Sequence, residues 1–122
     1  MKRGEIYFVT LDPVVRRKQA GRRPVLVVSD DSINARPLVV TVVIGSSGKR
    51  WANDFPTNVR VPAAESGLPK ETVFLCFQLR SIDHARFQNA AGKPNPPLGR
   101  LSTSRMKQID HAIRLSLSLL DL

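Results

Sequence analysis

Cysteine is nearly missing from this chain, with Cys76 the single one in 122 residues. One thiol excludes an intrachain disulfide framework and any sulfur-rich metal site, and it suits a reducing compartment. Carboxylates are also scarce, 10 Asp and Glu against 19 Lys and Arg, and they are dispersed without the spacing of a metal-ligand set. Neither a metal nor a cofactor is therefore expected. No apolar run approaches the ~20 residues that span a bilayer. The chain opens Met1-Lys2-Arg3-Gly4-Glu5 and goes directly into a strand pattern, without an apolar signal segment. These absences predict a cytoplasmic protein with no membrane partner, and the length suits one domain over residues 1–122.

Positive charge is what the chain has in excess, a formal +9. Five of the eight residues from Arg16 to Arg23 are basic: Arg16, Arg17, Lys18, Arg22 and Arg23. Cations gathered in one loop make a local field that phosphate oxygens can use, so nucleic acid is the first partner to expect. The plainer alternative is a solvated loop.

Around that loop, Glu5–Leu11 and Pro24–Ser29 are apolar runs bounded by turn residues, and both read as strands. Leu38–Ile44 repeats the buried pattern and stops at Gly45-Ser46-Ser47-Gly48, which reads as a turn. Thr57–Val61 alternates like a half-buried strand, and Thr72–Leu79 adds a fifth, with Cys76 as a core residue. Ala63–Lys70 reads as a connection, Asp83–Phe87 as a helical turn, and the proline-rich Gly92–Gly99 as a surface loop. Ser102 or Ser104 can cap a final element in which Met106, Ile109, Ile113, Leu117 and Leu120 recur on one helical face. The pattern predicts a mainly β, α+β fold: a small antiparallel β barrel of about five to seven strands with a C-terminal amphipathic helix. Trp51 and Phe55 can stack an unpaired base or pack on the barrel, while His84 and His111 read as exposed.

Three segments together resemble the MazF/PemK-type endoribonuclease toxins of type II toxin–antitoxin systems. They are Arg3-Gly4-Glu5-Ile6-Tyr7, the run from Gln19 through Arg23-Pro24-Val25-Leu26 to Ser29, and Gln78-Leu79-Arg80-Ser81-Ile82-Asp83. The resemblance implies an SH3-like barrel, a homodimer, a cognate acidic MazE-like antitoxin, and metal-independent cutting of single-stranded RNA. It also implies site residues. Arg23 matches the family's catalytic arginine, and Ser46 or Ser47 falls where relatives carry a catalytic threonine or serine. Gln19 also matches, and Gln78 and Arg80 fall in the segment that helps bind RNA, with Arg16, Arg17 and Lys18 tracking flanking phosphates. Two departures are plain: Lys18 and Phe77 stand where relatives commonly carry acids. Two other functions fit the same resemblance, namely a CcdB-like gyrase poison that acts by protein contact and an RNA-binding homologue with reduced catalysis.

Overall fold

A computed structural model describes residues 1–11, 22–36, 38–47 and 55–119. Six strands form one sheet: β1 (Glu5–Thr10), β2 (Arg22–Val27), β3 (Val39–Ser46), β4 (Asn58–Val61), β5 (Thr72–Asp83) and β6 (Gly99–Arg100). Three α-helical segments accompany them, α1 (Asp31–Asn34), α2 (Ala63–Ser66) and α3 (Thr103–Leu117), with a 3-10 turn at His84–Phe87. The strand order is β4-β5-β3-β2-β1-β6, antiparallel throughout, so the expected barrel is a curled half-barrel whose edges are β4 and β6.

Alternation of side chains gives the sheet two apolar faces. Ile6, Leu26, Val43, Val61, Phe74 and Cys76 meet Met106, Ile109 and Ala112 of α3 on one face. Each such fully buried aliphatic side chain contributes about 1.5–3 kcal/mol. On the other face Tyr7, Val9, Val25, Val27, Val40, Val42, Ile44 and Ile82 gather around Phe87. The Tyr7 and Phe87 rings meet edge to face, 5.2 Å apart at 83°. Of the two hydroxyls that could cap α3, Ser102 does so, accepting from the Arg105 N–H at 3.2 Å. Arg3 ties this helix to β1 by pairing with Asp110.

Several boundaries differ from the sequence expectation, and each difference has a physical cause. β2 starts at Arg22 because its ladder with β1 begins at Thr10↔Arg22, so the end of the basic segment is strand rather than loop. β3 runs two residues past Ile44, because Gly45 fits where a side chain would not. A Cβ there would lie 2.8 Å from Thr72 Cγ2 and 3.1 Å from Pro24 Cγ. In the expected connection Ala63–Lys70, Ala63–Ser66 is helical and is stopped by Gly67 at φ 79°. β6 emerges inside the proline-rich loop because Gly67 and Gly99 let two backbones cross in contact. A Cβ on Gly67 would collide with the Leu98 carbonyl, and one on Gly99 with the Ser66 carbonyl.

β5 carries a wide irregularity that shapes everything near it. Its register with β3 jumps from Val43↔Leu79 to Ile44↔Leu75, so β5 carries three residues, Cys76, Phe77 and Gln78, between two consecutive residues of β3. The Cys76 N–H donates instead to the Thr57 carbonyl at 2.8 Å. Such a bulge bends and twists the strand, which allows one strand to pair with both β3 and β4.

Candidate active site

The last paired residues of β2 and β3 are Val25↔Ile44, next to Pro24, which has no N–H to donate. Continuing the same register places Pro24 opposite Gly45 and Arg23 opposite Ser46. The close Gly45–Pro24 approach agrees with that continuation. Arg23 therefore shares a face with Val25 and Val27, and Ser46 shares one with Val42 and Ile44. These four apolar residues belong to a single cluster, as does Val9, the partner of Arg23 on β1. Both polar side chains thus leave the same side of the sheet, each half-buried.

The carboxylates closest in sequence do not claim Arg23. Asp30 accepts from the Ser32 hydroxyl at 2.6 Å and caps α1 by accepting from the Ser32 N–H at 3.0 Å, and Asp31 accepts from the Arg3 N–H at 2.7 Å. These hydrogen bonds hold both carboxyls below their usual range. Among the described residues no acid pairs with Arg23. The Arg22 guanidinium points the other way and stacks over the Phe8 ring, 5.5 Å from its centroid.

Ser46 and Ser47 are separated by the strand's alternation. Ser47 is exposed and lines a cleft of about 220 Å³ with Phe8, Pro24, Leu68 and Lys70, whereas Ser46 stays on the Arg23 side. Arg80 pairs with Val42 and so shares that side too, about 14 Å further along at ~3.4 Å per residue. Gln78 lies within the bulge and is half-buried. Arg23, Ser46 and Arg80 thus share one face of the sheet. Arg16, Arg17, Lys18, Gln19 and Trp51 lie outside the described residues.

Other candidates fall away from this face or are inert. Phe55, half exposed, borders a groove between β4 and α3 together with the exposed His111. His84 is half-buried rather than exposed, with its Nε2 buried and without a hydrogen-bond partner among the described residues. Burial, reinforced by the Asp110 charge, pushes the Cys76 thiol up to about 12, so it is no nucleophile at neutral pH. Among the described residues no three His, Cys, Asp or Glu side chains converge on a metal position, and no helix is long and apolar enough to cross a membrane. Sequence reasoning missed the role of Gly45, which brings β3, Pro24 and Thr72 together. The signal was there, because a glycine inside a strand marks close approach of another element.

Comparison with known proteins agrees with this architecture. A family described as PemK-like, MazF-like toxin of type II toxin-antitoxin system matches residues 2–117. The endoribonuclease EndoA of Bacillus subtilis is 33% identical over 121 residues, 99% of this chain and 97% of that one. The solved toxin MazF-mt6 of Mycobacterium tuberculosis superposes with a TM-score of 0.73 at 22% identity, covering 97% of this chain and 99% of its own. An endoribonuclease in complex with its cognate antitoxin from a mycobacterial species also superposes at 0.73, with 18% identity, covering 100% and 99%. With a family match over almost its whole length and a full-length relative at one-third identity, the chain belongs to the PemK-like, MazF-like toxins of type II toxin–antitoxin systems.

Proposed function

We propose that this chain is a metal-independent endoribonuclease that cuts single-stranded messenger RNA and thereby stops translation. The observation that carries the reading is the register that sets Arg23 and Ser46 on one face where β2 and β3 meet, with no acid among the described residues paired to the guanidinium. RNA carries its own nucleophile. Its 2′-hydroxyl attacks the adjacent phosphorus and gives up its proton. The bond to the 5′-oxygen breaks, leaving a 2′,3′-cyclic phosphate, and the departing oxygen takes a proton to become a 5′-hydroxyl. Charge on the non-bridging oxygens rises as the pentavalent phosphorus forms. A guanidinium is charged at any physiological pH and offers planar paired donors for those oxygens. The Ser46 hydroxyl adds a further donor, and Arg80 on the same face, with Gln78 beside it in the chain, would contact the flanking strand. With Lys18 and Phe77 in place of acids, the proton acceptor is not a carboxylate at either position.

The family membership and the antitoxin-bound neighbour support a small acidic antitoxin as the cytoplasmic partner, its acidic tail neutralising the basic end of the sheet. A homodimer is the assembly that the family implies.

The deciding assay incubates the purified protein with long single-stranded RNA in excess EDTA and identifies the fragment ends. Cyclic phosphate and 5′-hydroxyl ends are expected. Intact RNA that is still bound in a salt-sensitive way would replace this reading with RNA binding alone. Gyrase trapped on DNA without affinity for RNA would replace it with the protein-contact poison.

The two serines are expected to differ in kind. Ser46→Ala should lower kcat by roughly ten- to hundred-fold, the scale of losing one hydroxyl hydrogen bond to a charged transition state. Ser47→Ala should act mainly on KM. Single-turnover rates measured over a range of enzyme concentrations separate the two, and equal effects on kcat would reject the assignment of sides.

A further inference from the structure

The cleft on the far side of the reactive strand ends has a use of its own. It measures about 220 Å³ and is walled by Phe8, Pro24 and Leu68, with Ser47 and Lys70 exposed at its mouth. Resting on the endoribonuclease reading above, we infer that this cleft is a subsite for one unpaired nucleobase, on a nucleotide next to the scissile phosphate, and that it favours a base edge rich in carbonyl oxygens, uracil or guanine.

Size is the first reason. Sites for drug-sized ligands run to ~300–1,000 Å³, so this cleft suits a single flat ring and not a folded peptide segment. Chemistry is the second. Phe8 and Pro24 offer apolar surfaces against which a base can stack, and Arg22 holds the Phe8 ring in place from above. Lys70 is a pure donor and Ser47 both donor and acceptor, which suits an edge that presents carbonyl acceptors. Thr72 is not a reader. Its hydroxyl donates to the Lys70 carbonyl at 3.1 Å and so fixes the backbone from which the ammonium projects.

Position is the third reason. Pro24 immediately follows Arg23 and Ser47 immediately follows Ser46, so the cleft mouth and the reactive pair are built on the same two strand ends. The sheet is one chain thick. A phosphate resting against Arg23 on one face then lies one residue along the strand from the cleft on the other.

The test is an abasic scan. Short RNAs containing the preferred cut site carry one missing base at each position flanking the cut, and kcat/KM is measured for the wild-type protein, Lys70→Ala and Phe8→Leu. Lys70 is exposed, and leucine keeps β1 apolar, so both variants keep the sheet's core. One flanking position is expected to cost the wild-type protein about tenfold or more when its base is removed, the scale of one lost stacking contact. That penalty should shrink to threefold or less in both variants. Replacing uracil or guanine by adenine at that position should cost the wild-type protein more than it costs Lys70→Ala. If the wild-type protein cuts RNA but the abasic penalties are the same in all three proteins, the subsite is overturned while the endoribonuclease reading stands. That result would leave the cleft to a protein side chain. RNA left uncut by the wild-type protein overturns both.

Discussion

Replacing Arg23 by alanine is expected to slow RNA cleavage a hundred- to thousand-fold at saturating protein, with the fold retained. Removing one preorganised donor from a developing oxyanion costs about 3–4 kcal/mol in comparable sites, and each ~1.4 kcal/mol is tenfold in rate. Arg23 can deliver that because β1 fixes its backbone through the Val9↔Arg23 pair, while no acid among the described residues competes for its head. Its stem is half-buried, so melting temperature has to be followed beside the rate to separate lost packing from lost chemistry. Arg23→Lys should recover only part of the rate. A compact ammonium keeps the charge and loses the planar pair of donors that fits two phosphate oxygens. A variant that folds normally and cuts within fivefold of the wild-type rate would remove Arg23 from the chemistry.

An RNA with a single 2′-deoxy nucleotide on the 5′ side of the cut should be bound and not cleaved. The attacking hydroxyl belongs to the substrate, so deleting that one oxygen deletes the nucleophile, whatever the protein does. Phosphate and base contacts survive the change, and affinity measured by filter binding or anisotropy should fall no more than a few-fold. The same oligonucleotide then serves as an inhibitor. Cleavage at the modified position would mean that water or a protein group attacks phosphorus, and the route to a cyclic phosphate would be wrong.

Most of the fold could be read from the chain because its signals are local. The runs Glu5–Leu11, Leu38–Ile44 and Thr72–Leu79 are dense in β-branched and aromatic residues, and the stripe from Met106 to Leu117 has helical spacing capped by a serine. What could not be read depends on contacts distant in sequence. β6 is only Gly99–Arg100, and it exists because Ile6 and Glu5 pair with it. The bulge at 76–78 follows from β5 serving two neighbours at once, which no run of residues announces. The site divides in the same way. Motif resemblance nominates Arg23, Gln78 and Arg80, but which serine shares a face with Arg23 is decided by strand alternation across the β2–β3 register. Extending β3 through Gly45 to Ser46 converts an ambiguous turn into two opposed hydroxyls.

A backbone ribbon separates Arg23 and Ser46 from Phe8 and Lys70, and this has a consequence for how such proteins diverge. With the cleft reading a base as proposed, drift at Lys70 or Ser47 would retarget the cut to another short word while Arg23 and Ser46 remain untouched. A genome holding several paralogues could thus assign each its own set of transcripts, and an engineer could reprogram one scaffold from its back side.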